Sequence, residues 1–217
     1  VMGTSASGER ASVSVDPADY DLVLGADGVN STLRETWAEH FQPTFDWRPN
    51  RFVWLGTSKP FPAFTFYFRE NEHGLWRVHA YQYELGRSTF IVECTEEAWT
   101  AAGMDKASEE ETLAYCADVF AEELDGHELI PNRSVWRSFP TIRCGSWHHQ
   151  NVVLLGDAVH TAHFSIGSGT RLGMLDAIAL REALLASDSI EGALERYATD
   201  RRPPVESLQR AAQASLE

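Results

Sequence analysis

The sequence has little cysteine, and the few cysteines it has are scattered. Cys94, Cys116 and Cys144 are the 3 cysteines among 217 residues. An odd and unclustered set does not suit a disulfide framework or a cysteine-based metal site, and it is typical of reduced thiols in a cytoplasmic enzyme. We therefore predict a cytoplasmic location and no bound metal.

Positive charge and long apolar runs are also scarce. Lysine and arginine total 18 against 32 aspartates and glutamates, which gives a formal net charge of -14. The phosphate backbone repels so acidic a chain, which argues against nucleic-acid binding by bulk electrostatics. No apolar run is long enough to cross a bilayer and no segment has a signal-peptide pattern, so no membrane association is expected. The length suits a buried core and two lobes.

One motif stands out among the residues that are present. Gly156-Asp157-Ala158 follows the apolar run 151–155, and Gly167-Ser168-Gly169 then opens a helical pattern. A strand that leads through a glycine-rich turn into a helix offers free N–H groups and a positive dipole end to phosphate, while a carboxylate accepts hydrogen bonds from sugar-alcohol hydroxyls. This pattern favours a phosphorylated, hydroxylated cofactor. Alone it is a weak signal, because a Gly-Asp step is also an ordinary exit from a strand.

A second motif lies far upstream. Residues 20–25 form another short apolar strand, which breaks into a turn at Asp27-Gly28 and continues through polar cap residues to Arg34. Together and in this order, the two segments resemble the Asp-Gly and Gly-Asp motifs of the FAD-dependent aromatic hydroxylases with the p-hydroxybenzoate hydroxylase fold. That resemblance extends from the first motif to the tail at 201–208.

The resemblance implies a set of FAD-binding residues. Asp157 would bind the ribityl hydroxyls, the helix start would lie beside the flavin, and the Asp-Gly element would lie near the pyrophosphate and the passing NAD(P)H. The full set of candidate cofactor residues is Asp27, Gly28, Arg34, Gly156, Asp157, Ala158, Gly167, Ser168 and Gly169.

Departures from the common motif indicate a narrower subgroup. Phe164 stands where the family usually has proline, and Arg171 where it has asparagine. The segments 160–170, 52–66 and 88–97 resemble the hydroxylases of aromatic acyl-CoA thioesters, typified by salicylyl-CoA 5-hydroxylase and 2-aminobenzoyl-CoA monooxygenase. The implied activity is hydroxylation of an aromatic acyl-CoA by molecular oxygen through a flavin C4a-hydroperoxide, with FAD and NAD(P)H as cofactors. The acyl group, NADH or NADPH, the hydroxylated position and the oligomeric state stay open.

Alternative functions also stay open. A related flavoprotein on the same fold, such as a halogenase or a free-acid aromatic hydroxylase, is the nearest alternative. A non-catalytic fragment of the fold is the alternative from another class.

The family begins with a G-x-G-x-x-G unit for the ADP half of FAD, and the sequence has no such fingerprint. We therefore expect an internal piece of a longer flavoprotein that is inactive by itself; a complete protein that has lost FAD binding is the alternative. The expected fold is α/β (α+β), with part of a Rossmann-like FAD-binding domain at 1–45 and 143–217 and an antiparallel-sheet substrate domain at 46–142.

Local patterns predict the elements of these domains. Aromatic and β-branched runs predict an antiparallel meander of strands at 52–55, 64–69, 75–83 and 88–94, and residues 11–15 predict a further strand. A capping box at Ser108 and Glu111 predicts the start of a helix. Apolar spacing predicts two more helices, one from the glycine turn and one over 190–197.

Residues that face the substrate are harder to predict. Alternation along 75–83 puts Arg77, His79, Tyr81 and Tyr83 on one face, so His79 and Tyr81 are candidates to orient a phenol or an aniline. The solvated face of a half-buried sheet is an equal alternative. Phe164 is the candidate beside the flavin, with simple packing of the turn as its alternative.

The sequence gives weaker evidence for a functional role of five other side chains. His160 and His163 are predicted to cap and pack the cofactor turn, because metal-ligand partners are lacking nearby. Arg48, Arg51 and Lys59 are candidates for the anionic end of CoA, with surface solvation as the alternative.

Overall fold

The computed structural model describes residues 2–4, 10–12 and 16–214. The chain packs as two compact units, Val1–Asp46 with Pro140–Glu217 (unit 1) and Trp47–Phe139 (unit 2). The assignment of 1–45 with 143–217 to FAD and of 46–142 to substrate stays a prediction, because packing alone defines these units.

Helices and strands alternate irregularly along the described residues. The strands are β1 (Met2–Thr4), β2 (Arg10–Ser12), β3 (Val23–Gly25), β4 (Pro43–Trp47), β5 (Arg51–Thr57), β6 (Thr65–Asn71), β7 (Gly74–Glu84), β8 (Arg87–Cys94), β9 (Leu129–Ile130), β10 (Pro140–Cys144), β11 (His148–His149) and β12 (Val152–Leu154). The helices are α1 (Thr32–Thr36), α2 (Ala38–Phe41), α3 (Glu96–Ala101), α4 (Glu109–Val119), α5 (Ala121–Leu124), α6 (Gly169–Ala186) and α7 (Ile190–Ala214). The predicted mixture of helices with an antiparallel sheet is confirmed. Of the strand predicted at 11–15, residues 13–15 lie outside the described residues.

Unit 2 is built on a five-stranded sheet with the order β6-β7-β8-β5-β9, in which neighbouring strands are antiparallel. The four predicted strands are present, but only β6, β7 and β8 form a meander. β5 pairs with β8 from Arg51↔Cys94 to Thr57↔Ser88 instead of with β6. The segment between β5 and β6 contains Pro60 and Pro62, which do not suit a tight hairpin turn, so the chain crosses over to the far edge of the meander.

One face of this sheet forms the core of unit 2. Trp76, Val78 and Ala80 on β7 are fully buried and belong to one apolar cluster with Cys116 and Phe120 from the region of α4. The helix starts where the sequence predicts, because both hydrogen bonds of the capping box at its N-terminus form. The predicted alternation along β7 is confirmed for Trp76, Val78 and Ala80, and it ends near Gln82, which is exposed and where the pairing with β8 shifts register.

Unit 1 contains a small mixed sheet with the order β11-β12-β3. β12 is parallel to β3, with Val152↔Val23 and Leu154↔Gly25 in register, and antiparallel to β11. The absence of a side chain at Gly25 is needed here, because an added Cβ would lie 2.6 Å from Leu154 Cδ2. In the same unit, β4 pairs with β10.

The last helix is longer than its apolar pattern predicts. α7 continues beyond Tyr197 through Pro203 and Pro204 to Ala214. Both prolines are exposed, so the carbonyls that lose an N–H partner can reach water. Buried residues recur at helical spacing on the opposite face, but Arg201 and Gln209 among them are polar, which hides the period from a search for apolar residues.

Among the residues that the structure describes, no helix has the length and hydrophobicity needed to cross a bilayer.

Candidate functional site

The two sequence motifs lie at the same edge of the sheet in unit 1. β3 and β12 are parallel neighbours, so Asp27-Gly28 and Gly156-Asp157 both follow the carboxyl ends of their strands. The amide of Leu155 also donates to the carbonyl of Gly25 at 2.9 Å. Ligands of open α/β sheets bind outside the carboxyl ends of the strands, so we call this edge, with the start of α6, the cofactor edge.

Arg34 ties the two motif turns together. Its side chain is buried, and one guanidinium nitrogen donates to the carbonyl of Ala158 at 2.8 Å while the other donates to the carbonyl of Val29 at 2.5 Å. The guanidinium also lies 5.2 Å from the centre of the Phe45 ring. The two terminal nitrogens of Arg34 therefore bind backbone carbonyls of both turns and fix one turn against the other.

Asp27 has a structural task at the first turn. Its Oδ2 accepts hydrogen bonds from the amides of Thr32 at 2.7 Å and Leu33 at 3.2 Å, which caps the start of α1. Gly28 has φ +83°, a conformation that favours glycine. In the Asp-Gly element, Oδ2 of Asp27 thus already binds the backbone of the turn.

Asp157 is placed differently. It is exposed, it lies in the 3₁₀ turn Gly156–Ala158, and its carboxylate accepts no hydrogen bond from the residues that the structure describes. Partial desolvation raises the pKa of Asp157, and nearby His160 opposes that rise. An exposed carboxylate on a rigid turn, without a protein donor, is available to the hydroxyls of a ligand.

A buried carboxylate on α6 holds this turn in place. Asp176 is fully buried, and its Oδ2 lies 2.7 Å from His160 Nε2 and accepts from the amide of Gly156 at 3.1 Å. Its Oδ1 accepts from Nε of Arg201 on α7 at 2.9 Å. Burial raises the pKa of Asp176, but the hydrogen bonds from His160, Gly156 and Arg201 outweigh it and the net pKa is lowered.

The sequence analysis missed Asp176, although a signal was available. The residue lies one turn after Leu172 on the apolar face of the predicted helix, and a carboxylate at a core position requires buried partners. His160 is one of those partners, and His163 caps the 3₁₀ turn Phe164–Ile166 by accepting from the amide of Ser165 at 3.3 Å. No metal-binding cluster occurs within 2–4, 10–12 and 16–214.

The start of α6 has room for an anion. Ser168 precedes the helix without a side-chain cap, since its hydroxyl donates to the carbonyl of Ile166 at 3.1 Å. A Cβ added to Gly167 or Gly169 would meet nothing within 4 Å. Uncapped amides at the N-terminus of an 18-residue helix, beside two glycines that leave open space, fit a pyrophosphate. Phe164 lies just before this start, with its ring centre 4.3 Å from that of His163.

The second group of candidates lies on the sheet of unit 2. His79 is buried at 1 % exposure, and its ring centre lies 4.6 Å from that of Phe66 and 6.4 Å from that of Phe64. Tyr81 stacks on Phe64 at 5.3 Å with 12° between the ring planes. A cavity of about 470 Å³ adjoins these rings, lined in part by Phe64, Tyr81 and Tyr83. We call this face the aromatic face: it combines buried His79 with the exposed rings of Phe64, Phe66 and Tyr83, so substrate binding and a solvated sheet face both stay predictions.

A polar cluster lies within the aromatic face. Glu93 on β8 is buried, and its Oε1 accepts from Arg77 on β7 and from Asn50 Nδ2 at 2.9 Å. Its Oε2 lies 3.3 Å from His79 Nε2. Burial raises the pKa of Glu93, but His79, Arg77 and Asn50 outweigh it and bring the pKa down to about 2. The alternation of β8 indicates the face of Glu93, but the residues that pair with it come from other segments.

Arg51 and Lys59, two of the cations suggested for the CoA nucleotide, are engaged within the protein. Arg51 pairs with Glu96 at 2.5 Å and lies 4.8 Å from the centre of the Trp99 ring. Lys59 donates to the carbonyl of Glu123 at 2.6 Å. Arg48 is half-buried, and its amide donates to the carbonyl of Phe139 at 3.5 Å. A role for these three cations in substrate binding stays a prediction.

Comparison with known proteins places the chain in a family. The FAD binding domain family matches residues 5–212. The chain is 44% identical over 213 residues to salicyloyl-CoA 5-hydroxylase of a Streptomyces species, covering 93% of this chain and 41% of the relative. It is 41% identical over 204 residues to 3-hydroxy-4-methyl-anthranilyl-[aryl-carrier protein] 5-monooxygenase of Streptosporangium sibiricum, covering 93% of this chain and 54% of the relative.

Solved structures agree on the fold. The tetrameric form of 2-methyl-3-hydroxypyridine-5-carboxylic acid oxygenase superposes with a TM-score of 0.71 at 18% identity, covering 95% of this chain and 54% of that one. The chain therefore belongs to the FAD binding domain family, and its resemblance to the FAD-dependent aromatic hydroxylases is confirmed. It spans about half the length of the curated relatives it matches.

We predict that Asp176→Asn destabilises the protein by about 3–5 kcal/mol. The substitution keeps the shape but leaves buried Arg201 without its anion, which is the cost of breaking a buried ion pair. Urea unfolding at neutral pH measures the change. Asp200→Asn is the control, because the exposed pair of Asp200 with Arg196 is worth about 0.3–0.5 kcal/mol. Equal losses in the two variants would contradict the role given to Asp176.

Because of Glu93, part of the free energy of unfolding should depend on pH in the acidic range. Its pKa is about 2 in the folded protein and 4.5 ordinarily, so its contribution is complete above pH 4.5 and is lost as the pH falls through about 2. The contribution is roughly 3 kcal/mol, from 1.36 kcal/mol per pKa unit. The difference in unfolding free energy between the native protein and Glu93→Gln should shrink over this pH range. In Glu96→Gln, a half-exposed carboxylate, the same difference should change much less.

Proposed function

We propose that this chain provides the FAD-binding edge and the ring-binding sheet of a monooxygenase that hydroxylates an aromatic acyl-CoA thioester. The observation that carries the proposal is the cofactor edge. There, Asp157, whose carboxylate accepts no hydrogen bond from the described residues, and the uncapped start of α6 lie in the same unit of an FAD binding domain chain. The aromatic face of unit 2 supports the choice of an aromatic substrate.

The cofactor edge divides its tasks among its residues. Asp157 accepts hydrogen bonds from the ribityl hydroxyls, and the α6 amides with Gly167 and Gly169 hold the pyrophosphate. Asp27, Gly28 and Arg34 support the site indirectly. Asp27 and Arg34 hold the two turns in place through hydrogen bonds to backbone groups. Gly156 and Ala158 shape the turn that presents Asp157, and Ser168 positions the helix start.

Bound FAD, once reduced by NAD(P)H, supplies activation of molecular oxygen for transfer of one oxygen atom to an electron-rich ring carbon. The chain's own residues bind and orient the ring. Tyr81 and Phe64 offer a stacked aromatic pair, and buried His79, in ring contact with Phe64 and Phe66, positions these rings. Phe164, next to the cofactor helix, excludes water beside the flavin.

The names of two relatives support a thioester substrate. One is named for a salicyloyl-CoA substrate and the other for an anthranilyl group on an aryl-carrier protein. CoA and carrier proteins present an acyl group on the same kind of arm, so a thioester is the shared chemistry. The engagement of Arg51 and Lys59 within unit 2 supports a second candidate, a carrier-protein thioester, which would not need cations for the CoA nucleotide there.

A cytoplasmic location belongs to the same proposal. All three cysteines are free and buried, and burial raises the pKa of Cys116 to about 12 and of Cys144 to about 11. Thiols of this kind stay protonated and unreactive, which suits a reducing compartment.

Asp157→Ala should weaken FAD binding by about 1.5–3 kcal/mol in the full-length protein, the range for a hydrogen bond to a charged group. Fluorescence titration of the apoprotein with FAD measures the loss. Asp188→Ala removes another exposed aspartate of unit 1, between α6 and α7, and should leave the affinity unchanged. An Asp157→Ala protein with native FAD affinity would refute the assignment.

The full-length protein should use aromatic thioesters far better than free acids. Remote binding energy from the thioester arm can be used to orient the ring, and a free acid lacks it. We expect salicylyl-CoA or 2-aminobenzoyl-CoA to stimulate NAD(P)H oxidation and to be hydroxylated, with poor turnover of salicylate and 2-aminobenzoate. Turnover of the carrier-protein thioester alone would favour the second candidate. Equal turnover of acid and thioester would remove the thioester proposal and leave that of a flavin hydroxylase.

A further inference from the structure

A second cavity of unit 2 adjoins the aromatic face. It has a volume of about 360 Å³, and Tyr83 contributes to its lining as well as to that of the cavity of about 470 Å³ beside Tyr81. We call the cavity beside Tyr81 the first cavity and the other one the second cavity. Both volumes lie within about 300–1,000 Å³, the usual range for small-molecule sites. Because they share Tyr83, the two cavities are neighbours.

The strand register shows that the two cavities lie on one face of the sheet. Tyr81 on β7 is directly opposite Thr89 on β8, and Thr89 is directly opposite Gly56 on β5. Opposed residues of antiparallel strands share a face, so a row that begins at Tyr81 in the first cavity continues to Thr89 and Gly56 in the second. Neighbouring strands are about 4.8 Å apart, so this row is about 10 Å long. An elongated ligand can therefore occupy both cavities.

The lining of the second cavity is neutral and partly polar. None of the described residues that line it carries a charge, so it offers no cation to the phosphates of a nucleotide. Trp54 and Ile130 supply apolar surface. Thr89 is 6 % exposed, and neither its hydroxyl nor the side-chain amide of Asn132 has a hydrogen bond among the residues that the structure describes. A buried hydroxyl without a protein partner favours a ligand that can hydrogen-bond to it.

Gly56 leaves space in this cavity. Residues Val53, Leu55 and Thr57 of the same strand are buried on the core side, so a side chain at position 56 would point to the cavity side. Its φ lies outside the left-handed region, and an added Cβ would lie 3.4 Å from Ile130 Cβ, an ordinary contact. The backbone therefore does not require glycine. A glycine inside a strand weakens the sheet, and it often marks a place where a ligand approaches closely.

We propose that the second cavity binds the pantetheine arm of the substrate while the aromatic ring lies in the first cavity. The arm is the neutral chain of amide and methylene groups through which both CoA and carrier proteins hold an acyl group. Its amides hydrogen-bond to Thr89 and Asn132, its apolar groups pack on Trp54 and Ile130, and Gly56 gives it room. This inference rests on the proposed function and identifies the part of the thioester that the chain recognises.

Three thioesters of 2-aminobenzoate test recognition of the arm in the full-length protein. They are the CoA thioester, the pantetheine thioester, which lacks the nucleotide, and the ethyl thioester, which lacks the arm. We expect nearly equal kcat/KM for the first two. For the ethyl compound we expect a value about 10²-fold lower, because its ring is no longer held in place.

Two results would overturn the inference and leave hydroxylation of thioesters standing. One is equal use of all three compounds. The other is a pantetheine compound used as poorly as the ethyl compound, since recognition would then need the nucleotide or a carrier protein. If none of the three is hydroxylated, the proposed function itself fails, so the two failures are distinguishable.

Gly56→Val fills the second cavity with a side chain that suits a strand. In this variant kcat/KM for the CoA and pantetheine compounds should fall by about 10²-fold, towards the value of the ethyl compound. An aryl-carrier-protein thioester should lose as much, whichever source supplies the arm in the cell. Unchanged use of the ethyl compound is the internal control for folding and flavin content. Native use of the arm-bearing compounds would overturn the inference.

Thr89→Val provides a second test, which also serves if Gly56→Val does not fold. It keeps the shape of the side chain and removes the hydroxyl. We expect kcat/KM for the arm-bearing compounds to fall roughly 3–10-fold, the effect of one neutral hydrogen bond, with no change for the ethyl compound. Thr100→Val, the same substitution at an exposed position of α3, should change none of the three values. No loss in Thr89→Val, or an equal loss for all three compounds, would refute the role given to Thr89.

Discussion

The parallel pairing of β3 with β12 is the constraint on which the candidate cofactor edge depends. It brings together two turns that are far apart in the chain, and the register from Val152↔Val23 to Leu154↔Gly25 places both at the carboxyl ends of the strands. Gly25 permits the close approach, because a side chain there would collide with Leu154. Arg34 then joins the turns by hydrogen bonds to backbone carbonyls on both. These contacts build the candidate site from two strands that are distant in sequence.

The two units use a similar device to position a functional residue. In unit 1, buried Asp176 accepts from Arg201 and contacts Nε2 of His160, and it fixes the turn that carries Asp157. In unit 2, buried Glu93 accepts from Arg77 and contacts Nε2 of His79.

A buried carboxylate is costly unless donors surround it, so each cluster tolerates few arrangements. That restriction gives the residues around it a definite geometry. The candidate cofactor carboxylate and the buried histidine of the aromatic face thus both depend on anions that do not themselves need to contact the ligand.

The sequence by itself determined the local elements and the family. Strand periodicity located β5 to β8, the capping box located the start of α4, and the pair of motifs indicated the FAD-dependent hydroxylases, because each of these signals is contained in a short segment. The tertiary structure decided what depends on distant partners. It placed β5 beside β8, extended α7 through two prolines, and buried Asp176 and Glu93 with their cations. The sequence around a buried polar residue does not indicate which distant segment will supply its hydrogen-bond partners. Only the packing of the whole chain decides that.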